Sequence, residues 1–78
     1  MTVRIAASDG RILARVINLA ARLGCEVTRC QMAPAAQGGA EVTASFSGDE
    51  LQLRRLGGQL ARLVGDERAT AEFLPATK

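Results

Sequence analysis

The segment Ser8-Asp9-Gly10-Arg11-Ile12 joins an extended stretch to an amphipathic one, and its residue types suit the capture of an anion. A short turn that opens a helix presents backbone N–H groups with no partner inside the helix, and these can hold a carboxylate or a phosphate. The same residues also suit a tight turn and helix cap with no ligand, with Ser8 or Asp9 as the capping side chain. The remaining candidates for chemistry are few. There is no His, and the two cysteines are Cys25 and Cys30. Both fall in one extended stretch, so five residues at about 3.3 Å each hold them roughly 16 Å apart. That distance exceeds the reach of a disulfide and of two ligands to one metal, so both are expected to be buried thiols packing as small apolar groups. Asp49 with Glu50 and Asp66 with Glu67 are adjacent pairs at helix ends, where acids cap and solvate. No nucleophile stands beside a base, so this chain is expected to have no catalytic residues and no metal site.

The elements that position the turn follow from periodicity. Val3, Ile5 and Ala7 alternate with Arg4 and Ala6, which predicts a strand over Thr2 to Ala7. Ile12, Val16, Leu19 and Leu23 recur at i, i+4, i+7 and i+11, with Leu13, Ile17 and Ala20 widening the stripe and Gly24 stopping the helix. Cys25 to Ala33 reads as a second strand whose phase changes midway: Cys25 and Val27 fit one face, Cys30 and Met32 the other. Either a bulge lies near Thr28-Arg29, or the far half meets a partner on its other face. Pro34 to Gly39 is a turn, and Ala40 to Ser47 alternates cleanly with Val42, Ala44 and Phe46 inward. Ser47-Gly48-Asp49-Glu50 has the form of a capping box for a helix reaching Val64, striped by Leu53, Leu56, Leu60, Leu63 and Val64. Gly57-Gly58 inside that helix costs about 1 kcal/mol each relative to Ala; the pair either allows close packing, the slightly favoured reading, or is tolerated on an exposed face. Gly65-Asp66 ends it, and Arg68 to Leu74 forms the last strand with Ala69, Ala71 and Phe73 on one face.

The predicted fold is therefore α+β, a ferredoxin-like βαββαβ unit with a four-stranded antiparallel sheet and both helices on one face. It occupies the 78 residues as a single domain, with a core over 2–74 and a short tail over 75–78. The uncovered sheet face must be solvated or covered, and a homodimer is expected to form edge to edge or face to face. The net charge of +2 is dispersed, all but Lys78 of the ten basic residues are Arg, and two Phe without Tyr or Trp offer little to stack on bases. Nucleic acid is not an expected partner. No apolar run is long enough to span a membrane, and a soluble cytoplasmic protein without a secretory signal is expected.

The order of elements, with Leu13-Ala14-Arg15-Val16 opening the first helix and Arg22-Leu23-Gly24 preceding the second strand, resembles an ACT domain. Gln31-Met32-Ala33-Pro34-Ala35-Ala36 and Gln59-Leu60-Ala61-Arg62-Leu63-Val64 bring it near one branch, the small regulatory subunits of acetolactate (acetohydroxyacid) synthase, and its length near the short isozyme II type. The resemblance covers residues 2–74; its motifs are individually weak, and their order and spacing carry it. It implies a non-catalytic partner of a large catalytic subunit that itself binds thiamine diphosphate, FAD and Mg²⁺ in valine, leucine and isoleucine biosynthesis. No cofactor is implied in this chain. It also implies an effector site at Asp9, Gly10, Arg11 and Ile12, with Glu26 at a second ligand position. Valine-sensitive members read N-x-P-G-V-L-x-R-V at this turn; here Ser8 falls at the Asn, Gly10 at the Pro and Arg11 at the Gly, and Glu26 falls where an Asn contacts the ligand. Weak or absent valine binding is therefore expected. A stand-alone amino-acid sensor is the alternative, favoured by a ligand at the first turn and no catalytic partner. A metal carrier of the same fold would place C-x-x-C where Asp9-Gly10-Arg11 stands.

Overall fold

A computed structural model describes residues 1–8, 10–36, 38–66 and 68–74. Its elements are β1 (Thr2–Ala7), α1 (Arg11–Arg22), β2 (Glu26–Pro34), β3 (Ala40–Ser47), α2 (Glu50–Asp66) and β4 (Thr70–Leu74). The sheet has the order β2-β3-β1-β4 with every neighbouring pair antiparallel. This is the ferredoxin-like arrangement that the periodicity predicts.

The two central strands carry the core because they are covered from above and flanked on both sides. Val3 and Ile5 of β1 and Val42, Ala44 and Phe46 of β3 meet Ile12, Val16 and Ala20 of α1 and Leu56, Leu60 and Val64 of α2. Burying each of the larger aliphatic side chains favours folding by about 1.5–3 kcal/mol. The N-terminus is tied in at the same place: the Met1 ammonium donates to the Phe46 carbonyl at 3.0 Å, and the Phe46 N–H to the Met1 carbonyl at 2.8 Å. The opposite sheet face is polar. Arg4 reaches Glu72 on β4 at 3.1 Å and Glu41 on β3 at 3.9 Å, and the Thr2 and Ser45 hydroxyls lie 2.9 Å apart. Such a face is stable in water, with its half-exposed ion pairs contributing little.

Five expectations are corrected in detail. α1 is capped by Gly10 with no side-chain cap hydrogen bond, so Ser8 does not serve there; Asp9 lies outside the described residues. The capping box of α2 sits two residues later than Ser47-Gly48-Asp49-Glu50: the Gln52 N–H donates to Asp49 Oδ1 at 2.8 Å and the Asp49 N–H to Gln52 Oε1 at 2.9 Å. α2 also runs to Asp66, past Val64, and the residue in the left-handed region is Arg68 (φ 54°) rather than Gly65. There the Arg68 N–H donates to the Gly65 carbonyl and the Ala69 N–H to the Val64 carbonyl. An added Cβ at Gly57 would meet Met1 Sδ and Phe73 Cε1 at ordinary distances of 3.9 and 4.0 Å, and one at Gly58 would meet nothing. Close packing does not explain that pair. Finally, Cys25 is buried but Cys30 is exposed. The register shift between Val27 and Arg29 turns Cys30 and Met32 onto the helix-bearing face, opposite Ala44 and Val42, but beyond the cover of the helices. The bulge, one of the two alternatives for β2, is thus the one observed. Ile17 stays exposed at the margin of the α1 stripe, and Phe73 is 46% exposed on the β4 edge.

Candidate functional site

α1 stops where its sequence says it should. Gly24 adopts φ 78°, its N–H donates to the Ala21 carbonyl, and the Cys25 N–H donates to the Ala20 carbonyl at 2.9 Å. At the other end Gly10 holds φ −80° and ψ −1°, and its carbonyl accepts from the Leu13 N–H at 3.1 Å. Neither a capping side chain nor an acidic residue occupies this first turn among the described residues. None of the described residues there offsets the positive helix dipole, which favours an anion.

A cleft of about 260 Å³ opens beside it, lined by Gly10, Met32, Ala33, Pro34, Gly39 and Ala40. Two glycines shape it. A Cβ on Gly10 would stand 2.8 Å from Met32 Sδ, so the thioether lies directly against the Gly10 backbone. Gly39 has φ 81°, and a Cβ there would collide with the Ala7 carbonyl oxygen. Its lack of a side chain lets the β2–β3 turn cross the end of β1, just ahead of the Ser8–Gly10 turn. A second cleft, about 360 Å³, has Ala6, Ala7, Ala35, Glu41, Arg68 and Thr70 among its lining residues.

The residues singled out in the sequence do not all converge. Gly10 and Arg11 lie at the helix start, with Arg11 exposed and engaged in an interaction of its own. Ile12 is 3% exposed and packs in the core, so only its main chain can face a ligand. Asp9 lies outside the described residues. Glu26 is exposed at the opposite end of β2, paired with Ser47, and six residues separate it from Met32, roughly 20 Å along a strand. Within one chain Glu26 does not belong to the cleft. Met32, Ala33, Pro34, Gly39 and Ala40 are the lining residues that sequence reading missed. Only the Gly38-Gly39 pair carried a signal, and it read as an ordinary turn.

Among the described residues no three His, Cys, Asp or Glu side chains gather where they could hold a metal ion. What the cleft offers is apolar lining beside a helix end that no described side chain caps. The fold is that of a ferredoxin-like domain.

Comparison with known proteins places the chain by shape alone. No family model and no curated protein matches its sequence. Among solved structures it is similar to formyltetrahydrofolate deformylase from Burkholderia mallei, with 15% identity and a TM-score of 0.74 over 91% of this chain and 26% of that one. It is also similar to a protein assigned as a glycine cleavage system transcriptional repressor, with 16% identity and a TM-score of 0.81 over 99% of this chain and 47% of that one. The chain thus spans about a quarter and just under half of these two proteins. At such identities the likeness carries the fold. No helix among the described residues is long and apolar enough to cross a membrane.

Proposed function

We propose that this chain is a non-catalytic regulatory domain, and specifically the small activating subunit of an acetolactate synthase. The carrying observation is the ferredoxin-like fold with an α1 N-terminus that no described side chain caps, beside an apolar cleft. Support for the specific partner comes from the resemblance in Leu13-Ala14-Arg15-Val16, Arg22-Leu23-Gly24, Gln31 to Ala36 and Gln59 to Val64. On this reading thiamine diphosphate, FAD and Mg²⁺ belong to the large subunit, and the complex works in the cytoplasm. Mixing the chain with the large subunit from the same organism should raise acetolactate formation. Failure to activate or to co-purify would overturn the proposal.

Valine sensitivity is weak or absent on the same reading. Arg11 puts a long exposed side chain where close approach of a ligand carboxylate wants a glycine, and Glu26 would repel that carboxylate only where a partner chain brings it to the cleft. Calorimetry with valine, leucine and isoleucine should detect no tight binding to the chain alone; tight binding to any of them would reverse this assignment. A second reading, a stand-alone amino-acid sensor, draws on the structural likeness to a protein assigned as a repressor of an amino-acid cleavage system. It predicts the converse pair of results, a tightly bound amino acid and no response from the synthase.

A homodimer accompanies the proposal. β2 is a nine-residue edge strand, exposed at every residue except Val27. A long unpaired edge of this kind templates a further strand. Antiparallel pairing of two β2 edges about a two-fold axis would bring Glu26 of one protomer to the Met32–Pro34 end of its partner's strand, beside the cleft.

A further inference from the structure

We propose that the groove between α1 and α2, on the layer facing away from the sheet, binds a phosphate-bearing small organic molecule. The groove is open to solvent and offers about 450 Å³. Arg15, Asn18 and Arg22 stand at i, i+3 and i+7 on one face of α1, and Gln59, Arg62 and Asp66 repeat that spacing on α2. Both triplets line the groove.

Convergence distinguishes this cluster: Arg29, Arg55 and Arg68 also lack an ion pair among the described residues, but of the five arginines without one only Arg22 and Arg62 line a common groove. Arg54, on the same helix as Arg62, is neutralised by Glu50 at 3.0 Å, and Arg4 on the sheet by Glu72 at 3.1 Å. Arg15 is engaged in an interaction of its own. Arg22 and Arg62 form no ion pair among the described residues, although Asp66 stands one turn after Arg62. Two guanidinium forks without a carboxylate, on facing helices, match the several acceptor oxygens of a phosphate monoester better than a single carboxylate. Arg22 also closes the α1 C-terminus, where its charge is favoured by the helix dipole. Half-buried Leu19 and Leu63 give the groove an apolar floor for the organic part, with the Asn18 and Gln59 amides positioned to hydrogen-bond it. Asp66 excludes a polyanion that would fill the whole groove and favours a ligand whose far end carries donors.

The test is NMR titration of the full chain with adenosine monophosphate, inorganic phosphate and a glutamate-rich peptide as probes. Saturable shifts should appear at Asn18, Arg22, Gln59 and Arg62 with the nucleotide, at lower concentration than with inorganic phosphate. Loss of two charged hydrogen-bond donors in Arg22→Ala/Arg62→Ala should weaken binding at least about tenfold. Both side chains are exposed, so the variant keeps its fold. Arg54→Ala/Arg55→Ala removes the same charge outside the groove and should change affinity less than about twofold. Equal weakening by the two double variants, absence of saturation, phosphate binding as tight as the nucleotide, or preference for the acidic peptide would each overturn the proposal.

Discussion

Arg68 and Gly57-Gly58 occupy each other's natural conformational roles. A left-handed backbone costs a non-glycine residue about 1–2 kcal/mol, and Arg68 bears it at φ 54° because the α2 C-terminal hydrogen bonds converge there. Arg68→Gly should therefore stabilise the domain by about 1 kcal/mol, raising the melting temperature while removing the cation among the residues that line the Ala6–Ala7 cleft. Gly57 and Gly58 lie inside α2 with room for a methyl group. Gly57→Ala and Gly58→Ala should each stabilise by about 1 kcal/mol, an upward shift of roughly 4–8 °C for a domain of this size. A fall in melting temperature for Gly58→Ala would mean that the face is occupied by something a methyl displaces. Gly39 is the opposite case. With a positive φ and the Ala7 carbonyl in the path of a Cβ, Gly39→Ala should destabilise and distort the turn beside the α1 N-terminus.

At the scale of elements, capping decides where helices begin, and the two α2 signals compete within one stretch. Ser47-Gly48-Asp49-Glu50 and Asp49-Glu50-Leu51-Gln52 both have a cap-x-x-acceptor form. The structure uses the second, with reciprocal bonds between Asp49 and Gln52. Urea denaturation should show Asp49→Ala losing about 1 kcal/mol while Ser47→Ala stays near wild type; the reverse ranking would restore the earlier frame. Periodicity made all six elements legible, since Val3 and Ile5, Ile12 and Val16, Val42 and Phe46, and Leu56 and Leu60 repeat at the intervals their burial requires. The phase change in β2 was legible too, but not which of two causes produced it. That depends on the pairing of Val27 with Phe46 and of Cys30 with Ala44, a property of β3 as much as of β2. The exposure of Cys30 was hidden for the same reason, because a residue on the covered side of a sheet still lies open where no helix reaches it.

For the molecule as a whole, the candidate site was half legible. Gly10 and Arg11 announce themselves as the start of a helix, whereas Met32 and Gly39 come to the site only through the register of three strands. Glu26 raises the question of assembly, since roughly 20 Å of strand separates it from the cleft in its own chain. Two copies joined along β2 resolve that separation, and the pairing makes a covalent prediction. Cys30 is the middle residue of Glu26–Pro34, so full antiparallel overlap of two such strands sets it opposite its own copy across the two-fold axis. Directly opposed strand residues lie about 4.5–5.5 Å apart at Cα, within reach of a disulfide. Mild oxidation with diamide should then give a disulfide-linked dimer on a non-reducing gel. Cys30→Ser should abolish that link without changing the dimer seen in sedimentation, and Cys25→Ser should leave it intact because Cys25 is buried beneath the helices. Cys30→Asp places two like charges at the axis and should shift sedimentation toward the monomer. A wild-type chain that stays monomeric at high concentration, or an oxidised dimer that depends on Cys25, would remove β2 pairing and with it any role for Glu26 at the cleft.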